Sequence, residues 1–69
     1  MTLSTIVAWN LRTLRSQRKL TQGTVAAEAG ASVSYISMLE RGERAPSLQM
    51  LQALAKAFGV PPLSLLKRL

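Results

Sequence analysis

The stretch LTQGTVAAEAGASVSYISMLERG, residues Leu20 to Gly42, decides the fold, because it holds two short helical patterns separated by a break of only a few residues. In the first pattern Thr21 is a candidate N-cap, since a threonine hydroxyl can accept a backbone N–H that the first helical turn leaves unpaired. The pattern runs from Gln22 to Ala29, and Gly30 breaks it. One face of this segment carries the apolar residues expected to be buried, which are Val25, Ala26 and Ala29.

The second pattern begins after Ser32, a candidate cap, and stops at Gly42, a residue type that commonly ends helices. On a helix Ile36, Leu39 and Glu40 share the inward face. Two short helices joined by a tight turn predict a helix-turn-helix, whose second helix enters the major groove of DNA. The outward face of that second helix carries Val33, Ser34, Ser37, Met38 and Arg41.

The composition excludes several classes of protein. Residues 1–69 are expected to form one domain, and they include no cysteine and no histidine, so we expect no disulfide and no metal site. Glu28, Glu40 and Glu43 are the only acidic side chains, too few to assemble a nucleophile, a base and an orienting group. We therefore expect no enzymatic activity. The sequence also has no phosphate-binding glycine motif, and we expect neither a cofactor nor a small-molecule effector.

The charge balance indicates a polyanionic partner. Nine Lys and Arg residues against three acidic ones give a formal net charge of +6 and an isoelectric point near 11.4. Nucleic acid is the favoured partner, and an anionic membrane surface is the alternative. The N-terminal residues lack the basic start and long apolar run of a signal peptide, and no apolar run is long enough to span a membrane. We therefore expect a cytoplasmic protein that does not bind membranes.

Five helical segments and no strand are predicted along the whole chain, which indicates an all-α architecture. The first helix should run from Leu3 to Arg18, and the fourth from the cap Ser47 to Gly59. A short fifth helix should begin near Pro61. The predicted core positions are Leu3, Ile6, Val7, Leu11 and Leu14 on the first helix and Leu48, Leu51, Leu54, Ala55 and Phe58 on the fourth.

Two segments carry a family resemblance: LRTLRSQRKLTQ at residues 11–22 and GASVSYISMLERGERAPSLQMLQALAKAFGV at residues 30–60. Together they resemble the Xre-like helix-turn-helix family, which includes phage Cro and repressor domains and restriction-modification controller proteins. The resemblance covers nearly the whole chain. It implies a compact five-helix lambda-repressor-like domain that regulates transcription by binding double-stranded DNA, with the third helix as the recognition helix.

The resemblance implies base contacts from Ser32, Val33, Ser34, Ser37 and Met38. Val33 and Met38 can only make apolar contacts, such as those with thymine methyl groups, whereas the two serines after Ser32 can donate or accept hydrogen bonds. Controller proteins often have a long polar or basic residue at the position of Val33. Its absence here suggests the hypothesis that specificity depends on thymine methyls, on arginines at the groove edges and on DNA shape.

The resemblance also implies phosphate contacts and one ion pair. Gln22 would contact a phosphate at the start of the second helix, where the helix dipole favours an anion. Tyr35 could bind a phosphate or pack against the second helix, and we favour the phosphate. Arg41, Arg44 and Lys19 flank the motif as further phosphate candidates, with Arg44 placed to reach a minor groove. Arg15 and Glu40 would form a partly buried ion pair, which we interpret as structural.

An apolar content of 48% is high for a short chain, so part of it is expected at a homodimer interface formed by Phe58, Val60, Leu63, Leu66 and Leu69, with Leu65 as a further candidate. Two other functions remain open at this point. One is a protein-binding module such as an antitoxin or an adaptor, which usually needs an added segment to wrap its partner. The other is a membrane-active basic protein, although the basic residues are scattered rather than gathered on one helix face.

Overall fold

The computed structural model describes residues 2–67, which form four α-helices, one short 3-10 helix and no β-strand. The all-α prediction is therefore confirmed for this part of the chain. The predicted bounds of the second helix are also confirmed. In chain order the α-helices are α1 (Leu3–Gln17), α2 (Gln22–Ala29), α3 (Val33–Glu40) and α4 (Leu48–Phe58).

The fifth helix is shorter than predicted. After α4 the chain forms only a 3-10 helix of four residues, Pro62–Leu65, preceded by Pro61 in an extended conformation. So short a segment cannot offset the cost of nucleating an α-helix, and 3-10 geometry is the usual result for pieces of this length. Leu69, predicted for this helix and for the dimer interface, lies outside the described residues.

Local sequence signals set the helix ends. The hydroxyl that precedes each α-helix accepts a hydrogen bond from the backbone N–H three residues later, as capping residues do. Gly30 and Gly59 end α2 and α4 with φ of 71° and 69°, the left-handed region that only glycine enters without strain. The four capping residues are Thr2, Thr21, Ser32 and Ser47.

One hydrophobic core joins the helices. α2 packs against α3 and α4, α1 packs against α3, and the 3-10 helix lies against α1 and α4. Leu14 is partly buried at the edge of this core. Because α2 and α3 are each only eight residues long, their stability depends mainly on this packing. The most completely buried large side chains are Leu11, Val25, Ile36, Leu39, Leu54 and Leu65.

Two predicted core positions are wrong. Leu3 is 64% exposed and Leu48 is 79% exposed. Each is the first residue of its helix, so the side chain projects past the end of the packed face although the helical spacing matches. Both side chains line a surface groove of about 160 Å³. The other residues of that groove are Val7, Ala45, Pro46, Leu51 and Leu66.

Asn10 anchors the end of the chain to α1. Its side chain is buried, and Nδ2 donates to the carbonyl oxygens of Leu65 at 2.9 Å and of Lys67 at 3.0 Å. These two bonds hold the residues after Pro62 against α1. They also satisfy the Asn10 amide, which would destabilise the fold if it were buried without partners. Nothing in the helical spacing of the sequence singled out this residue.

Among residues 2–67 no helix combines the length and the apolar character needed to cross a bilayer. The same part of the chain contains no cluster of three or more acidic side chains placed to hold a metal ion.

Candidate nucleic-acid interface

The outward face of α3 is exposed at its N-terminal end. Val33 is 49% exposed and Ser34 is also exposed, whereas Ser37 and Met38, one turn later, are half-buried. The opposite face is fully buried through Ile36, which is 0% exposed. The five residues with implied base contacts therefore begin at an accessible helix end that the core holds in place. Ser32, the first of these five in the chain, is exposed and caps α3.

Ser32 already has a structural hydrogen bond. Its Oγ accepts the backbone N–H of Tyr35 at 3.0 Å. The hydroxyl proton and a second lone pair remain for another partner. Ser32 is therefore able to contact DNA only in the orientation that its capping bond allows.

Arg15, Gln22 and Glu40 form one hydrogen-bonded network between α1, α2 and α3. Arg15 donates to Glu40 through Nε to Oε2 at 2.7 Å and through Nη2 to Oε1 at 3.0 Å. Gln22 Nε2 donates to the same Oε1 at 3.0 Å. Arg15 also donates through Nη1 to the Leu20 carbonyl oxygen at 3.1 Å. The network holds the first residue of α2 against the last residue of α3.

Charge and hydrogen bonding keep the Glu40 carboxylate ionised. Burial alone would raise the pKa of Glu40, but hydrogen bonds from Arg15 and Gln22, together with the charges of Arg15 and Arg12, lower it below its ordinary value. The same pairing raises the pKa of Arg15. For Gln22 the consequence is geometric, because one N–H of its side-chain amide donates to Glu40 and only the second N–H is free to donate to a phosphate.

Arg41 is held by two neighbours. Its guanidinium donates to Glu43 through Nε to Oε2 at 2.8 Å and through Nη2 to Oε1 at 3.1 Å, while Nη1 donates to Ser37 Oγ. Arg41 and Glu43 are each more than half exposed. The hydrogen bond from Arg41 lowers the pKa of the Glu43 carboxyl group. The forked face of Arg41, which suits a phosphate, therefore faces a carboxylate of the same chain.

Arg44 lies over the ring of Tyr35, with its guanidinium carbon 5.4 Å from the ring centroid. Tyr35 is half-buried and packs on the core. This position is compatible with both predicted roles, packing within the domain and contact with a phosphate. The cation–π contact orders Arg44 beside α3. Lys19, the remaining phosphate candidate, is exposed in the turn after α1, with a φ of 54°.

Two further arginines, Arg12 on α1 and Arg18 directly after it, have structural partners that the sequence did not reveal. Arg12 Nη1 donates to the backbone carbonyl of Glu40, and Arg18 Nη1 donates to that of Phe58. Arg18 also lies 5.9 Å from the centroid of the Phe58 ring. Each arginine thus satisfies a carbonyl at the end of a helix, where a positive charge is favourable. With Arg15, they repeat every third residue from α1 to its C-cap Arg18.

The residues predicted for the dimer interface differ in their exposure. Phe58 is 5% exposed and belongs to the core, so its assignment to an interface is wrong. Leu65, the further candidate, is 0% exposed for the same reason. Leu63 is 71% exposed, and Val60 and Leu66 are half-buried. Among residues 2–67, the accessible part of the patch therefore consists of Val60, Leu63 and Leu66.

Comparison with known proteins gives consistent results. Residues 11–65 match a family described as helix-turn-helix. The uncharacterized HTH-type transcriptional regulator y4dJ of Sinorhizobium fredii is 43% identical over 60 residues, covering 87% of this chain and 78% of that protein. The immunity repressor protein of Bacillus phage phi105 is 41% identical over 54 residues, 78% of this chain. The chain spans only 38% of the length of that repressor.

The fold comparison agrees. The crystal structure of the restriction-modification controller protein C.AhdI from Aeromonas hydrophila superposes with a TM-score of 0.86 at 35% identity, covering 90% of this chain and 94% of that one. The match to residues 11–65 and the similarity to y4dJ establish that the chain belongs to the helix-turn-helix family. It is a DNA-binding transcriptional regulator of the Xre-like type, as the resemblance implied.

Proposed function

We propose that this regulator binds a two-fold symmetric operator in double-stranded DNA as a homodimer in the cytoplasm, with α3 in the major groove. The observation that carries the proposal is the exposed start of α3, where Val33 and Ser34 stand clear of a buried inner face. Arg41 and Arg44 follow α3 directly and are also exposed. A helix end with base-reading side chains beside arginines for the backbone is the arrangement that major-groove recognition requires.

The chemistry of the outward face determines what it can read. Val33 offers methyl groups to a thymine methyl, and Ser34 offers a hydroxyl that can pair with either a donor or an acceptor on a base. Met38 and Ser37 lie deeper, so their contacts depend on how closely α3 enters the groove. No arginine stands at a position of α3 to pair with guanine, which supports the hypothesis that DNA shape contributes to specificity.

The proposed phosphate contacts come from residues around the start of α2 and from α3 and the loop that follows it. Gln22 stands at the N-terminus of α2, where unpaired backbone N–H groups and the helix dipole favour an anion. Arg44 lies over the ring of Tyr35 on α3, and Lys19 precedes α2. The cations among the proposed contacts, Lys19, Arg41 and Arg44, would add a salt-dependent and sequence-independent part of the affinity.

The proposed dimer uses the accessible leucine patch near the C-terminal end. Leu63 is 71% exposed, a large apolar side chain in water, and Val60 and Leu66 are half-buried beside the same segment. A two-fold arrangement would present two copies of α3 to successive turns of the major groove, about 34 Å apart. A single copy of so small a domain would read too few base pairs for high specificity.

Selection of bound duplexes from a random DNA pool tests this function. The selected duplex and a scrambled version are then compared for binding at two salt concentrations. We expect a two-fold symmetric motif with half-sites about one helical turn apart, bound far more tightly than the scramble. Equal and steeply salt-dependent binding to all duplexes would overturn the proposal and favour a partner-binding module instead.

A further inference from the structure

We propose that Glu43 is a specificity-determining residue, which restrains Arg41 against Ser37 and so keeps this arginine from binding DNA phosphates indiscriminately. The proposal rests on the DNA-binding function proposed above. Its basis is the geometry of one cluster: both oxygens of Glu43 accept from Arg41, at 2.8 and 3.1 Å, and the third interaction of the guanidinium is with Ser37 Oγ.

The carboxylate occupies the position that a phosphate would take. Arginine pairs with carboxylates and phosphates through the same two-pronged geometry, so one guanidinium edge cannot hold both at once. Arg41 directly follows α3 and is therefore near the proposed DNA backbone. Contact between Arg41 and a phosphate through this edge requires that the pair with Glu43 be broken first.

The restraint also acts on a residue of the recognition face. Because Arg41 donates to Ser37 Oγ, one lone pair of that hydroxyl is used and a positive charge stands beside it. The hydroxyl then favours donation to a base acceptor, such as purine N7, guanine O6 or thymine O4, over acceptance from a base amino group. Without Glu43, Arg41 would be free to leave Ser37, and this preference would weaken.

The pair is exposed, so its effect on affinity is modest. The Arg41 and Glu43 side chains are 55% and 53% exposed. Exposed ion pairs of this kind change an equilibrium by at most about fivefold. An effect of that size is sufficient to lower the affinity for the many non-specific sites on DNA.

The test measures binding of wild type, Glu43→Gln and Glu28→Gln to a scrambled duplex and to the selected duplex over a range of salt. Both variants remove one negative charge, but Glu28 is an exposed residue of α2 and has no ion-pair partner among residues 2–67. We expect Glu43→Gln to bind the scramble about two- to fivefold more tightly. Its salt slope should steepen by about 0.9, as for one added phosphate contact. Glu28→Gln should change both quantities less. Only Glu43→Gln should lower the ratio of selected to scrambled affinity, because on the selected duplex the gained phosphate contact is offset by the weakened preference of Ser37.

A second background separates the restraint from simple repulsion between Glu43 and phosphate. In Arg41→Gln protein, Glu43→Gln should produce no gain beyond that of Glu28→Gln, because no guanidinium is left to release. An equal gain in both backgrounds, or equal effects of the two glutamate variants, would overturn the inference. Wild type that does not prefer the selected duplex would refute the proposed function instead, and the scrambled-duplex measurements would still decide whether Glu43 restrains Arg41.

Discussion

Arg15 on α1 and Glu40 at the end of α3 are joined by two hydrogen bonds, of 2.7 and 3.0 Å, and the carboxylate also accepts from Gln22 at the start of α2. One carboxylate therefore connects α3, the proposed recognition helix, to α1 and α2. The Glu40 side chain is 6% exposed and that of Arg15 is 27% exposed. Because the pair is largely shielded from water, loss of either member affects the fold before it affects DNA recognition.

Replacement of Arg15 by Met should destabilise the domain. The change leaves the buried Glu40 carboxylate without its main partner, and we expect a loss of about 2–3 kcal/mol in the free energy of unfolding, somewhat below the cost for a fully buried pair. Urea unfolding at pH 7 measures this loss. Lys56→Met removes an exposed positive charge from α4 and serves as the control. An equal, small effect of both changes would show that the ion pair contributes little.

Acid should remove part of the stability through Glu40. Its pKa in the folded protein is lower than in the unfolded chain, so it contributes stability that is present above the unfolded pKa, about 4.3, and lost as the pH falls through the lowered folded value. Wild type should therefore lose stability between pH 7 and pH 3. In Glu40→Gln this loss should be smaller, although the variant is less stable at pH 7. Parallel stability curves for the two proteins would contradict this assignment.

Shortening Val33 should relax the preference for one base in each half-site. Val33→Ala removes methyl groups that we expect to contact a thymine methyl, at a cost of about 1 kcal/mol, or about fivefold in affinity. Binding to the selected duplex is compared with binding to a duplex that carries uracil, which lacks that methyl group. The effect of Val33→Ala should largely disappear on the uracil duplex. A loss that is the same on both duplexes would place Val33 elsewhere.

A charge at Leu63 should dissociate the proposed dimer. In a two-fold interface each substitution appears twice, so Leu63→Glu should weaken self-association by at least about tenfold through burial of unpaired carboxylates. Sedimentation equilibrium measures the change. Leu48→Glu is the comparison variant, because Leu48 is 79% exposed and lies at the far side of the groove that borders the patch only at Leu66. Dissociation by the comparison variant alone would move the interface to that groove.

Two glycines should respond in opposite directions to alanine. Gly23 lies in α2 with a negative φ, and a Cβ there would meet only Thr21 Oγ1 at 3.7 Å, an ordinary contact. Gly23→Ala should therefore raise the melting temperature by about 2–4 °C, for about 0.5 kcal/mol. Gly30→Ala should lower it, because the φ of 71° at this helix end strains any residue with a Cβ. Thermal unfolding of both variants checks the pair, and a lower melting temperature for Gly23→Ala would count against the stabilisation expected for α2.

The contacts of the surface arginines illustrate what sequence patterns could not predict. The sequence predicts Arg41 and Arg44 as phosphate contacts that flank the recognition helix, and in the structure one pairs with Glu43 and the other lies over Tyr35. A long side chain can reach several alternative partners, and which one it contacts depends on the positions of atoms from different segments. The proposed base contacts are less affected, because the face on which Val33 and Ser34 lie follows from helical spacing alone.

The sequence by itself determined where α2, α3 and α4 begin, where α2 and α4 end, and which face of α2 and α3 is buried. A capping hydroxyl such as Thr21 or a left-handed glycine such as Gly30 acts within a few residues, so neighbours in sequence are sufficient. Only the tertiary structure decided that Phe58 is core while Leu48 is exposed. The two residues share one helical face, and burial depends on whether another segment covers that part of the face.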